Sequence, residues 1–358
     1  MPISDEQSRT LGRLYTSGKE CYPCVITTGD MLRKINSPEF DRDSMAFFMP
    51  TAYGPCRFGQ YCRFHRMLLD DLGYDDVPMV LLDQTQEYYK DAEKLGTDFR
   101  RLAWRGVVFV DTLQKMLREI RPYEVVKGGT DEVYLRYLHK CAEVTEERGD
   151  LAPLAREARR AFEAIEVDRS QPRPLIGIVG EIFVRSNEFV NNFIVRKIES
   201  FGGETIMPPF EEWINYIGWS RKREARKQSN WKLMATEKIT EMVQRYEKRK
   251  VLREFQGAIR GSLEEPRSEE VIRLARDYLD PSVRGGETVL SLGRSMEYVH
   301  ANCDGIVNLH PFNCMPGSIV NAILTRLQKD HDIPVLKVAY DGQEQSNELI
   351  RIEAFVHQ

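Results

Sequence analysis

One device, used twice, constrains this chain more than anything else in it: an apolar run of strand length, a Pro- and Gly-containing turn that carries a cysteine, and then a helical pattern. The first copy is MAFFMPTAYGPCRFGQYCRFH at 45–65. Ala46, Phe47, Phe48 and Met49 form the apolar run, Pro50 breaks it, and a turn of small residues ends on Cys56. From Arg57 to about Leu72 a helix is expected, because Phe64, Met67, Leu68 and Leu72 recur at three- and four-residue spacings. The second copy is GIVNLHPFNCMPGSIV at 305–320, with a strand at 305–309, Cys314 in the turn and a helix at 318–328. A strand passed to a helix through a short turn is the unit of a parallel α/β sheet, and ligands collect at the strands' C-terminal ends. The free N–H groups and positive dipole end of the following helix favour a thiolate or an anionic cluster there.

The same alternation organises the rest. A short helix is expected within 1–20, and Thr28 or Asp30 is read as the cap of a helix running to Ile35. A short strand follows at 78–82. The stretch 100–120 reads as one long helix, although 106–110 has the composition of a strand. Residues 134–165 form a helical connector, and the chain restarts at Gln171-Pro-Arg-Pro174. A strand at 175–179, a turn at Gly180-Glu181, a helix at 187–201 and a strand at 205–207 then repeat the parallel-sheet order. Helices at 269–279 and up to 301, divided by a turn at Gly285-Gly286, lead to the second cysteine device; a strand at 335–339 and a helix at 347–357 close the chain. The expected domains are 1–125 (a first α/β domain with cluster cysteines), 126–172 (a helical connector) and 173–358 (a second α/β domain), the last with a basic helical insertion at about 211–265. Within it, 221–260 holds thirteen Lys and Arg against five Glu. Such a run is either a solvated helical face or a docking surface for an anionic ligand or acidic partner.

Composition limits the function classes. At 358 residues the chain is long enough for two or three cores, and a net charge of −4 gives no global reason to expect nucleic acid. Residues 1–19 lack the apolar segment of a signal peptide, and no run approaches twenty apolar residues, so a cytoplasmic protein without a membrane span is expected.

Cysteine usage agrees with a reducing compartment. There are seven cysteines, an odd number in a large chain, which points to thiols rather than a disulfide framework. Cys21, Cys56 and Cys314 each precede a helix, and three thiolates from two domains suit an iron–sulfur cubane that leaves one iron open. Cys24 stands three residues from Cys21, a spacing for one metal or for redox exchange. Cys62 lies nearly two helical turns beyond Cys56 and points elsewhere unless the helix starts late; Cys141 and Cys303 read as buried thiols. The competing metal reading is zinc: Cys21-x2-Cys24 with Cys56-x5-Cys62 supplies four thiolates for a tetrahedral site. Spacing leaves iron–sulfur and zinc about level.

Five motifs carry a family resemblance: GKECYPCVITTGD at 18–30, MPTAYGPCRFGQY at 49–61, GIVGEIFVR at 177–185, PFNCMPGSIV at 311–320 and YDGQEQSN at 340–347. From about residue 18 to the end the chain resembles the acyl-CoA dehydratase activase-related family, a relative of 2-hydroxyacyl-CoA dehydratase subunits, benzoyl-CoA reductase subunits and double-cubane-cluster proteins. The resemblance implies two flavodoxin-like parallel-sheet domains with additional helices. It implies a [4Fe-4S] cluster, single or double cubane, between them, with Cys21, Cys56 and Cys314 as ligands and Cys24 as a further candidate. It also implies an anaerobic setting and a partner, a homodimeric ATP-dependent activase of the actin-like ATPase fold, that drives electrons to low potential. The chain lacks a G-x4-GK[ST] phosphate loop and is not expected to bind ATP itself.

In the dehydratases of that family one injected electron turns a CoA thioester into a ketyl, which expels the hydroxyl on the adjacent carbon. Such a site needs an acid–base group near the substrate, and Glu181 and His310 are the catalytic candidates; capping or packing is the competing role for each. Arg57, beside Cys56, is expected to steady the cluster's negative charge, and Asp341 and Gln343 to line the same crevice. The leading expectation is an iron–sulfur reductase acting on a small molecule. Its alternatives are a 2-hydroxyacyl-CoA dehydratase subunit, a non-catalytic electron-transfer or scaffold subunit, and a zinc-stabilised binding module; a small-molecule or CoA-thioester substrate and a homo- or heterodimer are expected.

Overall fold

The computed structural model describes residues 3–52, 56–82, 98–280, 283, 287–343 and 346–358. The expected turn at Gly285-Gly286 and the residues 53–55 before Cys56 lie outside these. The first half runs α1 (Glu6–Tyr15), α2 (Tyr22–Ile35), β1 (Phe47–Pro50), α3 (Tyr61–Asp71), β2 (Met79–Leu82), α4 (Phe99–Ile120), α5 (Gly129–Glu146) and α6 (Leu151–Glu163). The second runs β3 (Leu175–Gly180), α7 (Ile182–Ser186), α8 (Ile194–Ser200), β4 (Glu204–Ile206), α9 (Glu211–Lys227), α10 (Trp231–Glu254), α11 (Ser268–Leu274), α12 (Glu287–His300), β5 (Gly305–Pro311), α13 (Met315–His331), β6 (Val335–Tyr340) and α14 (Glu348–Val356).

The protein is α/β with two parallel sheets. The larger has the order β4-β3-β5-β6, with Ile178 opposite Val307 and Leu309 opposite Val338. Chain order reverses between β3 and β5, so their C-terminal ends form a switch-point crevice. All seven residues of β5 are buried, as a strand covered on both faces requires. Ile178 and Leu309 face a core built with α2, α8 and α14, whereas Ile306 faces α12 and α13. Truncating a fully buried residue such as Ile178 to Ala costs about 2–5 kcal/mol. The smaller sheet pairs β1 with β2 in parallel, Phe47 opposite Met79, over α2 and α3.

Helix α2 joins the two. Its Tyr22, Val25 and Ile26 enter the core of the large sheet, and its Met31, Leu32 and Ile35 enter that of the small one. The helix starts at Cys21, earlier than Thr28 or Asp30 as caps would place it, because Pro23 suits a first turn that needs no N–H donor. The Thr-Gly-Asp triplet is instead a packing seam. Thr28 Oγ1 lies 3.1 Å from His65 Nε2, and Asp30 accepts the hydroxyls of Ser4 and Ser8 at 2.7 and 2.5 Å. Gly29 abuts the Ser8 carbonyl so closely that a Cβ would overlap it, which lets α1 cross α2 at backbone distance.

Two other expectations change. The helix expected over 187–201 is confined to α8, because the chain first makes α7 and then a turn. There the Asn191 side-chain amide donates to the carbonyls of Val184 and Arg185 at 2.9 and 3.2 Å, and Asn192 and Phe193 take positive φ. Side-chain bonds to the backbone of this kind compete with helix continuation. The connector is two helices, α5 and α6, divided by a turn at 147–150, and both pack with α4 and α10 into a separate helical core.

Among the described residues, no helix is long and apolar enough to cross a membrane.

Candidate functional site

Three turns meet at one cavity of about 1370 Å³. Cys21 precedes α2, Cys56 precedes a short 3-10 turn that runs into α3, and Cys314 precedes α13; all three line this cavity. Each occupies the N-cap position, where an extended residue hands the chain to a helix. The Cys314 sulfur accepts the Gly317 N–H at 3.4 Å, and the Cys21 sulfur is hydrogen-bonded to the Tyr61 hydroxyl. Arg57 lines the same wall and donates to the Lys19 carbonyl at 2.6 Å, which ties the Cys56 turn to the segment entering Cys21.

Burial, more than the helix N-terminus, sets the state of these thiols. It pushes Cys56 up to about 11 and Cys314 up to about 12, with Glu181 and Glu287 adding repulsion. Burial also raises Cys21, against a downward pull from the Tyr61 hydrogen bond and Arg57. As protein groups alone they are neutral thiols at pH 7, and a bound cation is what converts such thiols to thiolates. The helix-end N–H groups of Phe58 and Gly317 do pull Cys56 and Cys314 down, as expected of helix N-termini, and burial outweighs them.

Glu181 sits where the sheet directs it. Gly180 takes a positive φ against the Leu309 carbonyl, where a Cβ would overlap, and the Glu181 N–H donates to that carbonyl at 2.8 Å. The Glu181 side chain caps α7 by accepting the Val184 N–H at 2.8 Å. From α12, Glu287 accepts the Ile182 N–H of the same short helix, also at 2.8 Å. Both carboxyls lie deep in the molecule, yet they face the cavity and are only half-buried from water. Desolvation raises both, and repulsion from Glu181 raises Glu287 further, while Arg185 opposes the shift. Two such carboxyls titrate as a pair, and each holds its proton to higher pH than an isolated glutamate does.

The other candidates fall elsewhere. His310 is buried off the cavity wall, its Nδ1 bonded to the Pro311 carbonyl at 2.9 Å and its Nε2 to the Asn321 amide at 2.6 Å. Both ring nitrogens are thus engaged. Cys24 is buried beside Cys21 and Tyr61 but does not line the cavity. Cys62 is buried on α3 near Arg63 and Arg66, Cys141 lies in the helical core, and Cys303 packs under β5. Asp341 and Gln343 are exposed and away from the cavity. Among the described residues, no three His, Cys, Asp or Glu side chains stand close enough to hold a single metal ion.

Glu287 and Tyr61 are the site residues that sequence reasoning missed. Tyr61 sits inside the motif at 49–61 and was open to notice as the first polar ring of α3. Glu287 follows Gly285-Gly286 in sequence with no periodic signal, and only the fold brings it to Glu181.

No known protein-family profile matches the chain, and no curated protein matches it significantly.

Proposed function

We propose that this chain is an iron–sulfur protein that accepts low-potential electrons from an ATP-dependent activase and reduces a small molecule in the cavity. The observation that carries this reading is the meeting of Cys21, Cys56 and Cys314, from three separate turns, on one cavity wall. A single zinc holds its thiolates about 2.3 Å from one centre, which requires sulfurs packed against each other. A cubane takes each thiolate on a different iron and suits a wider triangle. The donor set therefore fits a cluster with Cys21, Cys56 and Cys314 as ligands, and Cys24 remains outside it. When bound, the cluster supplies low-potential electrons and an open iron. In this reading β1–β2 with its helices and the four-stranded sheet are two flavodoxin-like domains, the second carrying α9 and α10 as its helical insertion. The activase docks from outside the cavity, and the protein is cytoplasmic and works anaerobically.

The chain's own residues define the rest of the chemistry. With Cys21 as a thiolate ligand the Tyr61 hydroxyl would donate to its sulfur, Arg57 ties two cysteine turns together, and Phe58, Phe183 and Trp213 make part of the cavity wall apolar. The Glu181–Glu287 pair holds a proton for delivery to the reduced substrate. That pair also favours a second reading, a 2-hydroxyacyl-CoA dehydratase subunit, in which the same proton assists loss of a hydroxyl.

Iron, acid-labile sulfide and zinc measured on protein purified without oxygen, with an EPR spectrum after dithionite reduction, test the proposal. About four iron and four sulfide per chain support a single cubane and about eight iron a double one. Roughly one zinc without sulfide overturns it in favour of the binding module.

A further inference from the structure

The helical layer contributes a buried cation with nothing to bind. Arg118, near the end of α4, is 7% exposed and lines the same cavity as the cysteines. Among the described residues its guanidinium has no hydrogen-bond acceptor and no carboxylate within ion-pair distance, although a guanidinium keeps its charge at any ordinary pH. Its neighbours are differently placed. Arg121 is engaged by Glu199 at 2.7 Å and Asp131 at 2.8 Å, and Arg196 by Asp131 at 2.8 Å and Glu188 at 3.2 Å. Glu119, next to it on α4, is engaged by Arg260 at 3.1 Å, and Asp111, the carboxyl whose charge acts most on Arg118, spends both oxygens on the N–H groups of Phe210 and Glu211, each at 2.9 Å.

A planar fork of N–H donors, buried and without an acceptor, is matched by a carboxylate that can accept two of them side by side. The surrounding wall narrows the ligand further. Leu117 beside Arg118, with Leu135 and Leu138 from α5, offers apolar surface, and Tyr134 adds a hydroxyl. Because the neighbouring Arg121 and Arg196 are already paired, Arg118 offers a single fork at this end of the cavity, which suits a monoanion better than a phosphate dianion. We propose that Arg118 is the anchor for the carboxylate of an organic acid, and that the substrate of this cavity carries such a group on an apolar body. The inference deepens the functional reading above, on which it rests for treating the cavity as the substrate site.

Calorimetric titration of the anaerobically purified protein with hexanoate, hexanamide and inorganic phosphate tests it. The two organic probes share a body and differ in charge. Saturable hexanoate binding at least about tenfold tighter than hexanamide binding, with no competition by phosphate, is the expected result. Equal affinity for the two, absence of hexanoate binding, or a preference for phosphate overturns it. Arg118→Met is expected to lose hexanoate binding and, in the ligand-free protein, to raise Tm, because the variant removes an unpaired buried charge and keeps the stem. A folded variant that still binds hexanoate, or one whose Tm falls, marks Arg118 as structural. Should the variant fail to fold, the contrast of probes on the parent protein decides alone. Iron and sulfide assayed on the same preparation separate the two readings: hexanoate binding without iron keeps the anchor and removes the electron route, and iron without hexanoate binding does the reverse.

Discussion

Glu181 and Glu287 grip the same short helix from two sides of the chain, one accepting the N–H of Val184 and the other that of Ile182, both at 2.8 Å. The arrangement fixes two carboxyls beside each other at the mouth of the β3–β5 crevice. Neither can ionise fully while the other is charged, so the pair keeps a proton that an isolated surface glutamate would have lost.

Removing that proton source separates catalysis from structure. Glu181→Gln keeps an oxygen for the Val184 N–H but cannot donate its proton as an acid. Turnover of the substrate is expected to fall about 10²-fold or more, with iron content unchanged. The check is single-turnover reduction monitored by the loss of the reduced EPR signal. Unchanged turnover returns Glu181 to a capping role.

Glu287→Gln is expected to act on stability. A carboxyl raised in the folded state contributes stability below its unfolded value, and that contribution is lost as pH rises toward the folded value. The variant removes the loss, so its Tm relative to the parent is expected to climb between pH 5 and pH 8. A Tm difference that stays constant over that range removes the shared proton from the account.

Much of this site was open to inspection before the fold was known. The strands before Cys56 and Cys314 show as apolar runs ending in Pro turns, and both survive as β1 and β5. Glu181 was placed by the turn after β3. What stayed hidden depends on pairings between distant segments. The basic run at 221–260 looked like an uncompensated patch, yet Lys248 pairs with Glu211, and Arg260 with Glu119 and Glu204, all acids outside the run. Local charge counting cannot see such partners. Thr28 and Asp30 misled for a related reason: residues that suit a helix cap also suit a buried seam between helices, and Ser4, Ser8 and His65 decide between the two.

The cysteine assignment predicts a pattern among variants. Cys56→Ser and Cys314→Ser are expected to lose most of the bound iron. Cys141→Ser, in the helical core, and Cys24→Ser, off the cavity wall, are expected to keep it. Iron per chain, measured on anaerobic protein of matched circular dichroism, is the check. Iron retained in both turn variants rules out the ligand set.

Tyr61 offers a test of electronic tuning. A hydrogen bond donated to a ligand sulfur withdraws electron density and makes reduction of a cluster easier. Tyr61→Phe deletes the hydroxyl and leaves the ring in place against Phe58. The midpoint potential is expected to shift negative by tens of millivolts, read from a redox titration followed by EPR. A potential unchanged by the variant means that Cys21 does not ligate the group being titrated.

Two buried groups away from the carboxyl pair set opposing slopes of stability with pH. Burial lowers His65 to about 4, so the folded protein binds fewer protons than the unfolded chain between about pH 4 and 6.5 and gains stability as pH rises. Asp111 is raised to about 7 by burial, against the pull of its two backbone N–H partners, and it loses stability as pH rises from about 4 to 7. Each contribution is on the order of 3–4 kcal/mol across its window. Set against the parent, His65→Gln is expected to become relatively less stable as pH climbs through that range, and Asp111→Asn relatively more stable. Urea unfolding at pH 4.5, 5.5 and 6.5 reads both slopes. Slopes of the same sign place at least one of the two side chains in contact with water, and the packing of α2 on α3, or of α4 on α9, has to be redrawn accordingly.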